Sequence, residues 1–300
     1  MNASNKNTPA MLQNPLTKYP APPYPTTAQS TPGTEGNMAP KADHGETSYR
    51  GSGKLTGRKA LITGGDSGIG RAVAIAFARE GADVVISYLN EDDDARETAR
   101  YVEEAGRRAV LISGDISQEA HCYTLIETAV AELGGLDILV NNAAYQMARK
   151  SIQDVSADEL DHTFRTNIFA MFHLCKAAEA HLKPGSTVVN TTSVNAYKPN
   201  PQLLAYAATK AAIQNFSANL AQVWAEKGIR VNCVAPGPVW TPLIPSTMPL
   251  EKAQSFGEDL PLKRAGQPAE LAPMYVMLAS DESSFMTGST VQVTGGSPTI

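Results

Sequence analysis

The stretch KALITGGDSGIGRAVAIAFAREG, residues 59–81, decides the fold. A short β-branched run leads into a glycine turn, and the turn opens an amphipathic helix whose apolar positions include Val73, Ile75, Ala76 and Phe77. Glycines at 64, 68 and 70 stand where a chain must turn tightly, approach a phosphate and pack a helix against a strand. The amides and helix dipole at Ser67, Gly68, Ile69 and Gly70 then form an anion site. A glycine turn is weak evidence alone; between a strand and a helix it predicts a phosphate loop.

Outward from this unit the same alternation continues. KALIT, DVVISY, AVLIS, DILVN, STVVNTTS, IRVNCVA and STVQVT read as strands, with helical segments beginning near Gly68, Glu91, Ser117, Ser156, Leu203 and Pro268. Such alternation predicts an α/β fold: a Rossmann-like, doubly wound parallel sheet of about seven strands with helices on both faces. The strands are near-continuous apolar runs because both faces are covered. Residues 55–300 are expected to form one domain. Residues 1–54 are an arm punctuated by Pro9, Pro15, Pro20, Pro22, Pro23, Pro25, Pro32 and Pro40, extended or disordered by composition. Tyr19, Tyr24 and Tyr49 could anchor it along a neighbouring subunit.

Tyr206 and Lys210 lie four apart in LLAYAATKAAIQNF, so they share one helix face. An ammonium beside a phenol favours the phenolate and should lower the tyrosine pKa toward the working range. Thirteen residues upstream, STVVNTTS ends at Ser193, at the carboxyl end of a parallel strand, where ligands sit in open α/β sheets. Its hydroxyl can donate to a developing oxyanion.

Thr63, Gly64, Gly68, Ile69 and Gly70, in the spacing TGxxxGIG, resemble the cofactor loop of the short-chain dehydrogenases/reductases, and the resemblance runs from about Lys54 to Gly296. It implies hydride exchange between a nicotinamide and a carbonyl or alcohol, with Tyr206 as acid or base, Ser193 polarising the oxygen and Lys210 holding the ribose. Asn167, in FRTNIFAMF, matches the helix asparagine that holds a water in the family's proton path. Asp115, with Ile116 beside it, matches the adenine contact. Asn141-Asn142-Ala143-Ala144 resembles NNAG with Ala144 for glycine. Pro236-Gly237, Val239 and Thr241 resemble the turn against the nicotinamide and its carboxamide ligand.

The second strand ends without a carboxylate at Tyr88, and Arg71 stands in the first turn of the helix. NADP is therefore expected, with NAD possible, although Asp66 and Glu91 to Asp94 lie close by in sequence. Substrate walls are expected from 144–150, 194–201 and a mobile lid over 242–260, with Trp240 as pocket wall. DHGETSYRGSGKLTGRKALITGGDSGIG resembles a bacterial subgroup of stress-associated or uncharacterised oxidoreductases with a proline-rich N-terminal extension, which implies aldehyde or ketone reduction. Reduction of 3-oxoacyl groups and glucose-type sugar oxidation stay open, as does, from another class, a nucleotide-sensing protein without turnover. The family's habit implies a homotetramer.

Net charge is -5, which argues against nucleic acid or an anionic membrane as partner. Cys122, Cys175 and Cys233 are too few and too scattered for a disulfide framework, and the first residues lack a basic region followed by an apolar stretch, so a cytoplasmic protein is expected. His44, His121, His162, His173 and His181 do not cluster with other ligand types, so no catalytic metal is expected.

Overall fold

A computed structural model describes residues 12–299; Pro9 and the extreme N-terminus read above lie outside the described residues. The seven expected strands form one sheet in the order β3-β2-β1-β4-β5-β6-β7. They are β1 Lys59–Thr63, β2 Asp83–Tyr88, β3 Ala109–Ser113, β4 Ile138–Asn141, β5 Thr187–Thr191, β6 Arg230–Pro236 and β7 Thr290–Val293. Every pairing is parallel; β1 faces β2 at Leu61↔Val85 and β4 at Leu61↔Leu139.

Because side chains alternate across a strand, each strand feeds two cores. Ala60, Ile62, Val84, Ile86, Ile138 and Val140 face one side, packed with Phe77 of α1 (Gly68–Arg79) and Tyr275 of α9 (Pro268–Ala279). Leu61, Val85, Leu139, Val188 and Val231 face the other, with Leu125 of α3 (Glu119–Leu133) and Ile213 of α6 (Leu204–Ala225). Both faces are thus dry, which is why these strands lack polar alternation.

Two departures from the sequence reading matter for the site. The helix expected from Ser156 is interrupted: α4 (Ala157–Phe164) passes through a π turn at Arg165–Phe169 before α5 (Ala170–Ala178). Inserting a residue into a helical ladder re-aims the side chains of that turn, and Asn167 is in it. The segment 242–260 is also not a bare loop. It holds α7 (Leu243–Thr247) and α8 (Leu250–Gln254), and Ile244 and Ala253 are buried.

The arm covers this segment. Tyr24 stacks on Trp240 with ring centroids 4.4 Å apart, and Met38, Ile244, Ala253 and Ala265 close a third apolar cluster. The Trp240 indole donates to Pro40 O at 2.8 Å, so its place is beneath the arm, and it is not a wall of the cleft described below. Tyr19 donates to Asp43 within the arm and lies 5.2 Å beneath the Arg264 guanidinium, and Tyr49 donates to Glu80, so all three tyrosines contact residues 55–300 of the same chain. Proline denies backbone donors, and the arm compensates with scattered bonds such as Tyr24 N–H to Gln254 O at 2.8 Å.

Candidate active site

The carboxyl ends of β1, β2, β4, β5 and β6 open into a cleft of about 840 Å³. Its floor is the glycine turn after β1. Gly64 and Gly68 have φ of +61° and +51°, and a Cβ on Gly70 would stand 1.8 Å from Gly64 O, so the helix can approach the turn only with glycine there. Asn142 stitches this turn to the end of β4, its side-chain amide donating to Thr63 O and Gly64 O at 3.2 Å each. Thr63 Oγ1 in turn accepts the N–H of Asn142 and of Ala143 at 3.0 and 3.1 Å. Lys263 is the single non-glycine residue with positive φ among the described residues, so Ala144, standing for glycine, sits on ordinary backbone.

Of the residues singled out from the sequence, the structure brings Gly64, Asp66, Ser67, Gly68, Ile69, Tyr88, Asp115, Ile116, Asn142, Ala143, Ser193, Tyr206, Lys210, Pro236, Gly237, Val239 and Thr241 together along this cleft. Gly70 does not; its part is the close packing just described. Asn167 does not either. It is buried, accepts the Tyr145 N–H at 2.7 Å, and donates to Tyr145 O at 2.9 Å and Thr209 Oγ1 at 3.0 Å. In this structure Asn167 therefore fixes the chain at Tyr145, which lines the cleft, and ties the π turn to α6.

Tyr206 and Lys210 come together on the buried side of α6, with the ammonium 5.2 Å from the phenol ring centroid. Lys210 is 1% exposed and donates to Thr191 O at 2.8 Å. Burial pulls its pKa down to about 7. The expected direction for Tyr206 is reversed: burial pushes its phenol up to about 12, and hydrogen bonding to Ser193 offsets only part of that rise. The ammonium cannot depress the phenol as expected because the same dry environment weakens its own charge. Ser193, at the N-cap of a 3₁₀ turn over Val194–Ala196, accepts the Asn195 N–H and side-chain amide at 3.1 and 3.2 Å, which orients its oxygen.

The second correction concerns Arg71. It lies buried behind the loop, its Nε on Asp66 O at 2.8 Å, Nη2 on Asp94 O at 3.0 Å and Nη1 on Glu97 at 2.9 Å. It does not line the cleft, and each of its three nitrogens already donates to a partner behind the loop. Asp66 and Glu91 do line it, and Asp66 is pushed up to about 7 by burial and by the nearby Glu91 charge. Asp115 is held below the usual carboxylate range: burial would raise it, but the Ser117 hydroxyl and amide outweigh that. Among the described residues no group of three or more metal-ligand side chains converges.

Sequence reasoning missed several contributors. Thr31, Pro32 and Gly33 of the arm line the cleft, and the Glu35 carboxylate accepts the Gly68 N–H at 2.8 Å. Nothing in a proline-rich composition marks such contacts. Gln146 was not missed: it lies in the wall expected over 144–150, where it is buried and bonded to Thr247 Oγ1 at 2.9 Å, joining that wall to α7.

Known proteins resemble this chain in sequence and fold. A family model described as enoyl-(acyl carrier protein) reductase matches residues 64–297. General stress protein 39 of Bacillus subtilis is 52% identical over 270 residues, 90% of this chain and 94% of the relative. NADPH-dependent aldehyde reductase 1, chloroplastic, of Arabidopsis thaliana is 47% identical over 272 residues, 88% and 94%. Glucose and ribitol dehydrogenase of Daucus carota is 45% identical over 278 residues, 91% and 96%. A solved short-chain dehydrogenase from Burkholderia cenocepacia, in complex with NADP, superposes with TM-score 0.76 at 32% identity, covering 81% of this chain and 98% of that one.

Proposed function

Because this chain belongs to the short-chain dehydrogenase/reductase family, we propose that it is an NADP(H)-dependent oxidoreductase that reduces aldehydes or ketones, or oxidises the corresponding alcohols. The observation that carries the proposal is the convergence of Ser193, Tyr206 and buried Lys210 at the end of β5, in the cleft floored by the glycine turn. A dinucleotide fits this donor set: a glycine cradle that a single Cβ would fill, amides at a helix start and an open cleft at the strand ends.

When bound, the nicotinamide supplies or takes the hydride. In reduction, the Tyr206 phenol, protonated because burial holds its pKa high, gives its proton to the carbonyl oxygen. Ser193 donates to the same oxygen and polarises it. Lys210, which lines the cleft and donates to Thr191 O, would hold the ribose of a bound cofactor and restore the proton to Tyr206. In oxidation, Tyr206 must first lose its proton, so the oxidative rate rises with pH. Asn167 acts by holding Tyr145 and Thr209 in place around this corner.

NADP(H) is supported by the Arabidopsis relative's name and by the Burkholderia complex. One observation favours a second reading, NAD(H): Asp66 and Glu91 flank the cleft where Arg71 was expected, and a 2′-phosphate would meet their charge. Aldehyde reduction is supported by the Arabidopsis name, and glucose-type sugar oxidation stays open beside it through the carrot relative. Reduction of 3-oxoacyl groups is the remaining alternative. We further propose a cytoplasmic homotetramer of domain 55–300 carrying the arm 1–54. Exposed Phe169 at the end of the π turn and Phe172 on α5 support association, and three buried thiols fit a reducing compartment. Turnover of NADPH and of NADH against aldehydes, ketones and sugars, with Tyr206→Phe as control, tests the proposal.

A further inference from the structure

The arm reaches the cofactor cleft as well as the lid. Its turn at Thr31, Pro32 and Gly33 lines the same cleft as Gly64, Ser67 and Gly68. This turn is pinned on one side to α7. A Cβ on Gly33 would stand 2.5 Å from Pro242 O, Thr31 Oγ1 donates to Ser246 O at 3.0 Å, and the Gln29 N–H donates to Pro245 O at 2.9 Å. On the other side Glu35 enters the glycine loop. Its carboxylate accepts the Gly68 N–H at 2.8 Å, and its own N–H donates to Asp94 at 2.9 Å.

Glu35 is 4% exposed, and a lone buried carboxylate would be costly. It is matched by His44, whose Nε2 lies 2.8 Å from Glu35 while Nδ1 lies 2.8 Å from Glu46. The first amides of a helix have no partner within it and turn to whatever acceptor is present. Here one of them, at the loop residue beside Thr241, is held by the arm instead of by solvent. A Cβ on Gly68 would lie 3.0 Å from Thr241 Cγ2, so the arm, the glycine loop and the turn after β6 meet at one point.

We propose that the turn from Thr31 to Glu35 is a positioning element for the dinucleotide: Glu35 fixes the Gly68 peptide, Thr31 to Gly33 roof the cleft beside the loop, and cofactor leaves only when this turn lifts. The proposal rests on the dinucleotide reading given above. Glu35 and His44 together carry little net charge at neutral pH, so removing the carboxylate loosens the loop more than it relieves repulsion toward a phosphate. A gate of this kind acts on the rates of exchange more than on the bond-making step.

The test follows the fluorescence of bound NADPH, and separately of NADH, in stopped-flow displacement by excess oxidised cofactor. It uses the full chain as wild type, Glu35→Ala, Glu35→Gln and Gly33→Ala, with melting curves and steady-state kinetics on the same preparations. The expected result is dissociation faster by about tenfold in Glu35→Ala and Gly33→Ala, with cofactor KM rising more than kcat falls. Glu35→Gln, whose amide oxygen can still accept from Gly68, should fall between them and wild type. Variants that melt lower yet keep wild-type dissociation rates and KM would show a purely structural arm and overturn the proposal. If Glu35→Ala does not fold, Gly33→Ala and Glu35→Gln decide by the same criteria. A wild type that binds neither cofactor overturns the dinucleotide reading and this proposal with it; a wild type that binds, beside variants that release no faster, overturns this proposal alone.

Discussion

Tyr206 and Asp66 show how burial outweighs neighbouring charge at single residues. The four-residue spacing put Tyr206 and Lys210 on one helix face, and the structure keeps them there. Depth was not legible, however, because periodicity says which face a residue occupies and not how dry that face is. With Tyr206 at about 12 and Lys210 at about 7, the cofactor-free enzyme holds a protonated phenol beside a lysine close to neutral. The tyrosinate absorbance lost in Tyr206→Phe should therefore appear only above about pH 10; an ionisation near neutrality would refute the burial argument. Asp66, raised to about 7, binds a proton in the folded chain that the unfolded chain has already released. Such a group costs stability as pH rises from its unfolded value through 7. Asp66→Asn should thus raise Tm by several degrees near pH 8 and leave it unchanged near pH 4, read by melting curves. The same variant should improve NADPH relative to NADH.

Among the elements, the seven strands were legible because each is a β-branched run bounded by turn residues, and α1 because its glycines and apolar periodicity are local signals. The π turn at Arg165–Phe169 and the course of the arm were not, since both are set by tertiary partners. Asn167 takes its place from Tyr145 and Thr209, and the arm from Trp240, Arg264 and the glycine loop. Within the arm, burial by itself would lower His44, but the charge and hydrogen bond of Glu35 and the hydrogen bond of Glu46 outweigh burial and the opposing Arg71, holding it at about 9. A raised histidine contributes stability that is complete below its unfolded value of about 6.5 and lost as pH rises through 9. Amide exchange in residues 31–49, corrected for its intrinsic pH dependence, should accordingly accelerate between pH 7 and pH 10 relative to the sheet. Equal protection at both pH values would contradict the assigned role of His44.

For the whole molecule, fold and family were legible together, because the phosphate loop after β1 and the catalytic serine after β5 belong to one sheet order that puts their strand ends one strand apart, with β4 between them. Cofactor choice was less so: Arg71 is near the loop in sequence, yet the backbone of Asp66 and residues of α2 (Asp92–Glu104) hold each of its three nitrogens away from the cleft. The proposed assembly rests on the surface. Phe172 stacks on Phe216 at 4.1 Å and remains half exposed, so α5 and α6 present one apolar strip. Sedimentation should give four times the 31.8 kDa chain mass, and Phe172→Glu should shift it toward smaller species. A wild-type monomer would remove this strip as an assembly surface.

The most direct measurement is steady-state turnover of NADPH and of NADH with an aldehyde, ketone and sugar panel, wild type beside Tyr206→Phe. The account predicts carbonyl-dependent oxidation of reduced cofactor, lowered about 10²- to 10⁴-fold by Tyr206→Phe with cofactor binding retained. Wild-type binding without turnover on any carbonyl or alcohol, or turnover indifferent to Tyr206→Phe, would contradict it.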